Sequence, residues 1–115
     1  MNFIIRLLVN ALAVMVSAYL LPGVRVKDFV TALILAVVLA ILNLLVKPIL
    51  VILTLPVTII TLGLFLFVIN AIIILLASKL VDGFKVDGFF WALIFSLILS
   101  LVSGIMNSIA GTDND

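Results

Sequence analysis

From Phe29 to Val46 the chain carries no charged side chain. An uncharged apolar run of that length is what a helix crossing a bilayer needs, because the hydrocarbon core is about 30 Å thick and takes roughly 20 residues. Three more stretches have the same character. Phe3 to Leu21 is interrupted only by Arg6, Gly63 to Leu80 only by Lys79, and Phe89 to Met106 not at all. Composition agrees: 68% of the residues are apolar and 10% charged, against about 45–50% and about 25% in soluble domains. A soluble fold of this size has too much surface for so few polar side chains.

The breaks between runs are readable. Pro22 disfavours helix in Leu21 before it, and Gly23 accepts turn geometry. Val24-Arg25-Val26-Lys27-Asp28 is a short polar connection, and Lys47-Pro48 is expected to end the second helix. A cleaved signal peptide is the rival for the first run, but Tyr19-Leu20-Leu21-Pro22 is a poor small-residue cleavage site. Ile49 to Ala77 is too long for one ordinary helix and too short for two. Pro56 and Gly63 divide it, and Ile49 to Leu62 would reach only about 21 Å as a helix. That segment reads as re-entrant or interfacial, with Thr54, Thr58 and Thr61 on one face around Pro56; their hydroxyls can satisfy carbonyls that the proline frees. The tail from Asn107 to Asp115 reads as polar and frayed.

An internal repeat runs at an offset of sixty. Val9-Asn10-Ala11 recurs as Ile69-Asn70-Ala71; Leu20, Gly23, Val26 and Phe29 recur as Leu80, Gly83, Val86 and Phe89. Arg25 matches Lys85, and Ala32-Leu33-Ile34 matches Ala92-Leu93-Ile94. The expected fold is therefore an all-α integral membrane protein of four transmembrane helices, arranged as two duplicated helical hairpins. Within one membrane domain, repeat one covers about 3–47, a linking segment 48–62, repeat two 63–107 and a polar tail 108–115. If the linking segment does not cross, the halves are parallel repeats about an axis along the membrane normal. Arg25, Lys27, Lys79 and Lys85 fall on the hairpin-loop side, against Arg6 and Lys47 on the other; this places the loops in the cytoplasm. The loops at Gly23 to Val26 and Gly83 to Val86 alternate apolar and polar residues and are expected to pair as a small ribbon.

Several residues are candidates for function. Asn10 and Asn70 stand at matching places inside helices, as a polar pair in a permeation path or as hydrogen-bonding glue between helices. Ser96, Ser100, Ser103 and Asn107, spaced by four, three and four, share one helix face. Their repeat partners Ala36, Ala40, Asn43 and Lys47 form a small-residue face that turns polar toward one end. Such faces suit close packing, or a weakly polar lining in an oligomer. Arg25, Lys27, Lys47, Lys85 and Trp91 read as membrane-interface anchors.

The chain has no Cys, His or Glu, and its acids are Asp28, Asp82, Asp87, Asp113 and Asp115, all in loops or the tail. No base and orienting partner for hydrolysis can be assembled, so no catalysis and no cofactor is expected. No carboxylate lies inside a helix, as proton-coupled transport usually requires. A net charge of +1 does not make a nucleic-acid surface. The partners expected are the lipid bilayer, further copies of the chain and possible membrane-protein partners.

Several segments together resemble a known family. They are Arg6-Leu7-Leu8-Val9-Asn10-Ala11, Leu20-Leu21-Pro22-Gly23-Val24, Asn43-Leu44-Leu45-Val46-Lys47-Pro48, Leu53-Thr54-Leu55-Pro56, Ile69-Asn70-Ala71, and Val81 to Phe89 with Trp91-Ala92. The resemblance is to the four-transmembrane phage holin superfamily IV and covers almost the whole chain. Asp82 departs from the pattern, where Pro is commoner. The resemblance implies a multi-pass protein of the bacterial cytoplasmic membrane that oligomerises and opens lesions through which a lytic enzyme reaches the wall. The strongly charged tail common in holins is missing, since Gly111-Thr112-Asp113-Asn114-Asp115 is short and acidic. A non-lytic envelope scaffold or an accessory subunit of a membrane complex remains the alternative.

Overall fold

The computed structural model describes residues 2–110. Its elements in chain order are α1 (Phe3–Leu20), β1 (Val24–Val26), α2 (Phe29–Leu45), α3 (Lys47–Leu53), α4 (Leu55–Ile60), α5 (Phe65–Leu80), β2 (Phe84–Val86) and α6 (Phe89–Ala110). Two helices start on a side-chain cap. Asn2 Oδ1 accepts from the Ile4 amide at 2.8 Å, and Asp28 Oδ1 accepts from the Thr31 amide at 2.8 Å. Each cap satisfies one of the amides that a helix start leaves without an internal partner.

Three helical stretches are long and apolar enough to cross a membrane: Phe3–Leu20, Phe29–Leu53 and Phe89–Ile109. Phe65–Leu80 is a shorter apolar helix, about 24 Å long at the usual rise. The second stretch corrects the sequence expectation, because Lys47-Pro48 does not end the helix. Val46 stays in right-handed helical geometry, the Val46 amide donates to the Leu42 carbonyl at 2.9 Å, and the Leu50 amide donates to the Val46 carbonyl at 3.1 Å. Pro48 lies in the first turn of α3, and its missing N–H leaves the Leu44 carbonyl without the i→i−4 bond of an unbroken helix. The helix at the C-terminus also runs further than expected: Asn107 to Ile109 are helical. The rest of the expected polar tail, 111–115, lies outside the described residues.

The segment read as re-entrant or interfacial is short helix throughout, and none of the residues of α3 or α4 is buried. The Thr54 hydroxyl donates to the Leu50 carbonyl at 2.8 Å, and Thr61 Oγ1 accepts from the Phe65 amide at 3.1 Å. Pro56 sits in the first turn of α4. Thr58 Oγ1 is buried without a partner. Leu62, with φ +58°, and Gly63, with φ +91°, reverse the chain into α5. The Gly63 amide donates back to the Thr58 carbonyl at 2.8 Å.

The long helices pack side by side in the ring order α1, α2, α5, α6, with α6 closing back on α1. Their contacts use small residues. Ala11, Ala13 and Ser17 on α1, Ala32 and Ala36 on α2, Ala71 and Ala77 on α5, and Ala92 on α6 are all buried. Small side chains let helix backbones approach closely where lipid offers no hydrophobic drive for association. Large side chains such as Leu12, Val16, Ile34, Ile41, Leu97, Leu101 and Ile105 face outward, as a lipid-facing surface requires.

One end of the bundle is closed by the ribbon. β1 and β2 pair antiparallel in the register Val24↔Val86, Arg25↔Lys85 and Val26↔Phe84. The ladder is extended at both ends, by the Lys27 amide to the Gly83 carbonyl at 2.9 Å and by the Asp87 amide to the Gly23 carbonyl at 2.8 Å. Beneath it Phe84, Phe95 and Leu35 are fully buried, and the two rings lie 5.6 Å apart at a tilt of 48°.

Candidate functional site

The opposite half of the bundle is not filled. Between α2 and α6 lies a polar cleft made of two adjoining cavities that share Leu39, Asn43, Leu99 and Ser100 in their walls. The first, about 230 Å³, is completed by Asn10 and Val14 of α1, Ala36, Ala40 and Ser103. The second, about 130 Å³, is completed by Lys47, Asn70, Ile73, Ile74 and Ser96. Both far exceed the roughly 10–15 Å³ that admits one water. The cause is in the sequence. At the ribbon end, large apolar residues fill the space between the helices. One turn further along, alanine, serine and asparagine face each other and leave it open.

The structure thus brings together most of the polar residues singled out by spacing. The serine face of α6 and its counterpart on α2 look at each other across the cleft. Asn10 and Asn70 stand on opposite flanks, in different cavities. The two flanks differ in how their amides are satisfied. Asn10 Oδ1 accepts from the Ser103 hydroxyl at 2.8 Å and from Asn107 Nδ2 at 3.1 Å. Asn107 Nδ2 also donates to the Ser103 carbonyl at 2.8 Å. This network ties the start of α1 to the end of α6. Ser96 donates to the Leu93 carbonyl of its own helix. Replacing Asn10 with Ala removes the acceptor that Ser103 and Asn107 share across the two helices and is expected to weaken the bundle by about 0.6–2 kcal/mol. Reversible unfolding in detergent followed by circular dichroism measures it, and an unchanged midpoint would show that the network holds nothing together.

The residues read as anchors divide. Arg25, Lys27 and Lys85 are exposed around the ribbon. Arg25 forms a two-pronged pair with Asp87, Nη2 to Oδ1 at 2.7 Å and Nη1 to Oδ2 at 3.0 Å. This pair holds the Asp87 carboxyl below its ordinary pKa and raises that of Arg25. Asp28 is likewise lowered, first by the Thr31 amide that it caps. Trp91 packs its indole over Gly23. Lys47 lies within the continuous helical path and lines the second cavity beside Asn70. Thr54, Pro56, Thr58 and Thr61 contribute nothing to the cleft walls.

Residues 1–105 match the family described as mycobacterial 4 TMS phage holin, superfamily IV. The chain belongs to that family. It is 45% identical over 98 residues to "Uncharacterized membrane protein YvlD" of Bacillus subtilis (strain 168), covering 84% of this chain and 82% of that protein. It is 38% identical over 117 residues to "Uncharacterized protein SCO3922" of Streptomyces coelicolor, covering 93% and 94%. No solved structure matches the chain. The holin-family match takes in all four walls of the cleft and both strands of the ribbon, so the cleft lies wholly within the matched region.

Proposed function

We propose that this holin-family protein is a non-lytic component of the bacterial cytoplasmic membrane, a scaffold or accessory subunit built around a polar cleft. The observation that supports this reading is the direction in which its polar side chains point. Asn10, Asn43, Asn70, Lys47 and Ser103 line a space inside one bundle. That space stops at Leu35, Phe84 and Phe95, which are fully buried under the ribbon. Apart from the exposed Asn43 and the α6 residues Ser100, Gly104 and Ser108, the outer faces carry mainly leucine, isoleucine, valine and phenylalanine, which suit lipid rather than the wet rim of a large lesion.

The reading includes a duplicated hairpin. Residues sixty apart share burial, as at Ala11 and Ala71, Ala32 and Ala92, and Val24 and Phe84, and the ribbon register sets Arg25 opposite Lys85. It also sets the ribbon in the cytoplasm, on the count of Lys and Arg, so that the cleft opens outward.

One feature favours the lytic alternative. Ser100, Gly104 and Ser108 follow each other at steps of four on α6, all exposed, a stripe through which copies of the chain would pack into oligomers. Membrane potential, read by a voltage-sensitive dye after induction in a bacterial host, separates the two. The expected result is a steady potential at verified membrane levels. Abrupt depolarisation by the intact protein, absent when Ser100 and Ser103 are both replaced by Leu, would overturn the non-lytic reading.

A further inference from the structure

The second cavity is chemically unfinished. Its counterpart on the other flank closes its own amide, with Asn10 bonded to Ser103 and Asn107. The residues at the equivalent positions sixty away are Asn70, Asn43 and Lys47, and all three line the second cavity with Ser100. None of these four side chains makes a hydrogen bond or ion pair with another described residue. Where Asn107 supplies an amide that reaches Asn10, repeat one supplies an ammonium that pairs with no described residue. The described acids Asp28, Asp82 and Asp87 all lie at the far, ribbon end of the bundle. Lys47 is half-buried, and a lysine set among uncharged polar side chains in a membrane bundle marks a candidate site.

We infer that Lys47, Asn43, Asn70 and Ser100 form a binding site for a phosphate group. Lysine supplies a point charge with three donors, and the two amides and the hydroxyl supply up to five more. That set suits an oxyanion with several acceptor oxygens, and charge-assisted bonds of this kind are the strong ones. The phosphodiester of an anionic phospholipid and free inorganic phosphate present the same chemistry. The apolar walls shared with the first cavity, Leu39 and Leu99, offer a lipid glycerol somewhere to rest. The inference goes beyond the proposed function and holds whether or not the bundle permeabilises the membrane.

The test uses the full chain purified in a maltoside detergent, with thermal unfolding followed by circular dichroism. Short-chain phosphatidylglycerol, short-chain phosphatidylcholine and inorganic phosphate are titrated separately. A midpoint raised by phosphatidylglycerol alone supports the site and makes a lipid headgroup its ligand. A midpoint raised by inorganic phosphate also supports it and makes a free anion sufficient. Lys47→Gln is expected to weaken the effective anion about tenfold or more, whereas Lys27→Gln at the ribbon leaves it unchanged. Asn70→Leu removes donors without touching charge, and serves if Lys47→Gln does not fold. No stabilisation by either anion overturns the inference. So does equal stabilisation by both lipids with phosphate inert, which is a tail effect, and so does undiminished binding in the folded variants.

Discussion

Phe84→Ala is expected to destabilise the bundle by about 3–5 kcal/mol, the usual cost of emptying a fully buried phenylalanine site. Phe84 is 0% exposed and comes from the ribbon, so its ring is one of the contacts that fasten the ribbon to the helices. It meets Phe95 of α6 at 5.6 Å, adding the edge-biased attraction of an aromatic pair to its burial. Leu35, from α2, is equally buried. Removing the ring therefore loosens three elements together and opens a hole at the closed end of the cleft. Phe90→Ala is the control. That ring is 64% exposed, and its loss should change little. Chemical unfolding in detergent reports both. A Phe84→Ala variant within about 1 kcal/mol of the parent would mean that the ribbon does not depend on this contact.

Much of this architecture is legible in the sequence, for identifiable reasons. The long helices are legible because lipid imposes apolarity on whole runs. The ribbon is legible in the alternation of Gly23-Val24-Arg25-Val26 and Gly83-Phe84-Lys85-Val86, since period two is the strand period. Its register follows from the offset of sixty, because Arg25 and Lys85 are matching residues and pair with each other. The polar face of α6 is legible from spacing alone.

What the sequence hides depends on contacts distant in the chain. Lys47-Pro48 reads as a stop because proline usually ends a helix. Whether it does so depends on the next turn, and here that turn lets the helix run on to Leu53. Lys47, read from the sequence as a head-group anchor, also stands in the wall of the second cavity. Asn10 and Asn70 read as equivalents, and their environments are not. The difference is made by Asn107 against Lys47, on helices that only the fold brings alongside. The Arg25–Asp87 pair escapes notice for a related reason: the residue matching Asp87 is Lys27, so the repeat itself suggests repulsion there. A comparison of charges across the predicted ribbon, rather than along it, would have found it.

The two ribbon glycines look alike in sequence, but their structural reasons differ. Gly83 has φ +90°, a conformation that penalises any side chain, and a Cβ there would lie 3.0 Å from Lys27 Cβ and 3.2 Å from Thr31. Gly23 lies outside that conformational region. It is glycine because the Trp91 indole occupies the place a Cβ would take. Gly23→Ala must therefore push the indole or the ribbon aside, and the expected cost is about 1–3 kcal/mol or more, as for other overpacked sites. The ring that causes the clash is a separate residue, so the cost should be recoverable. Trp91→Ala alone will destabilise by leaving a hole, yet in the Trp91→Ala background Gly23→Ala should become nearly neutral, a coupling of order 1 kcal/mol or more in a double-mutant cycle. Gly83→Ala should show no such rescue, because backbone strain stays when Trp91 is removed. If the two Gly23→Ala costs were the same with and without the indole, the glycine would be serving the turn and the indole would not be what excludes a side chain there.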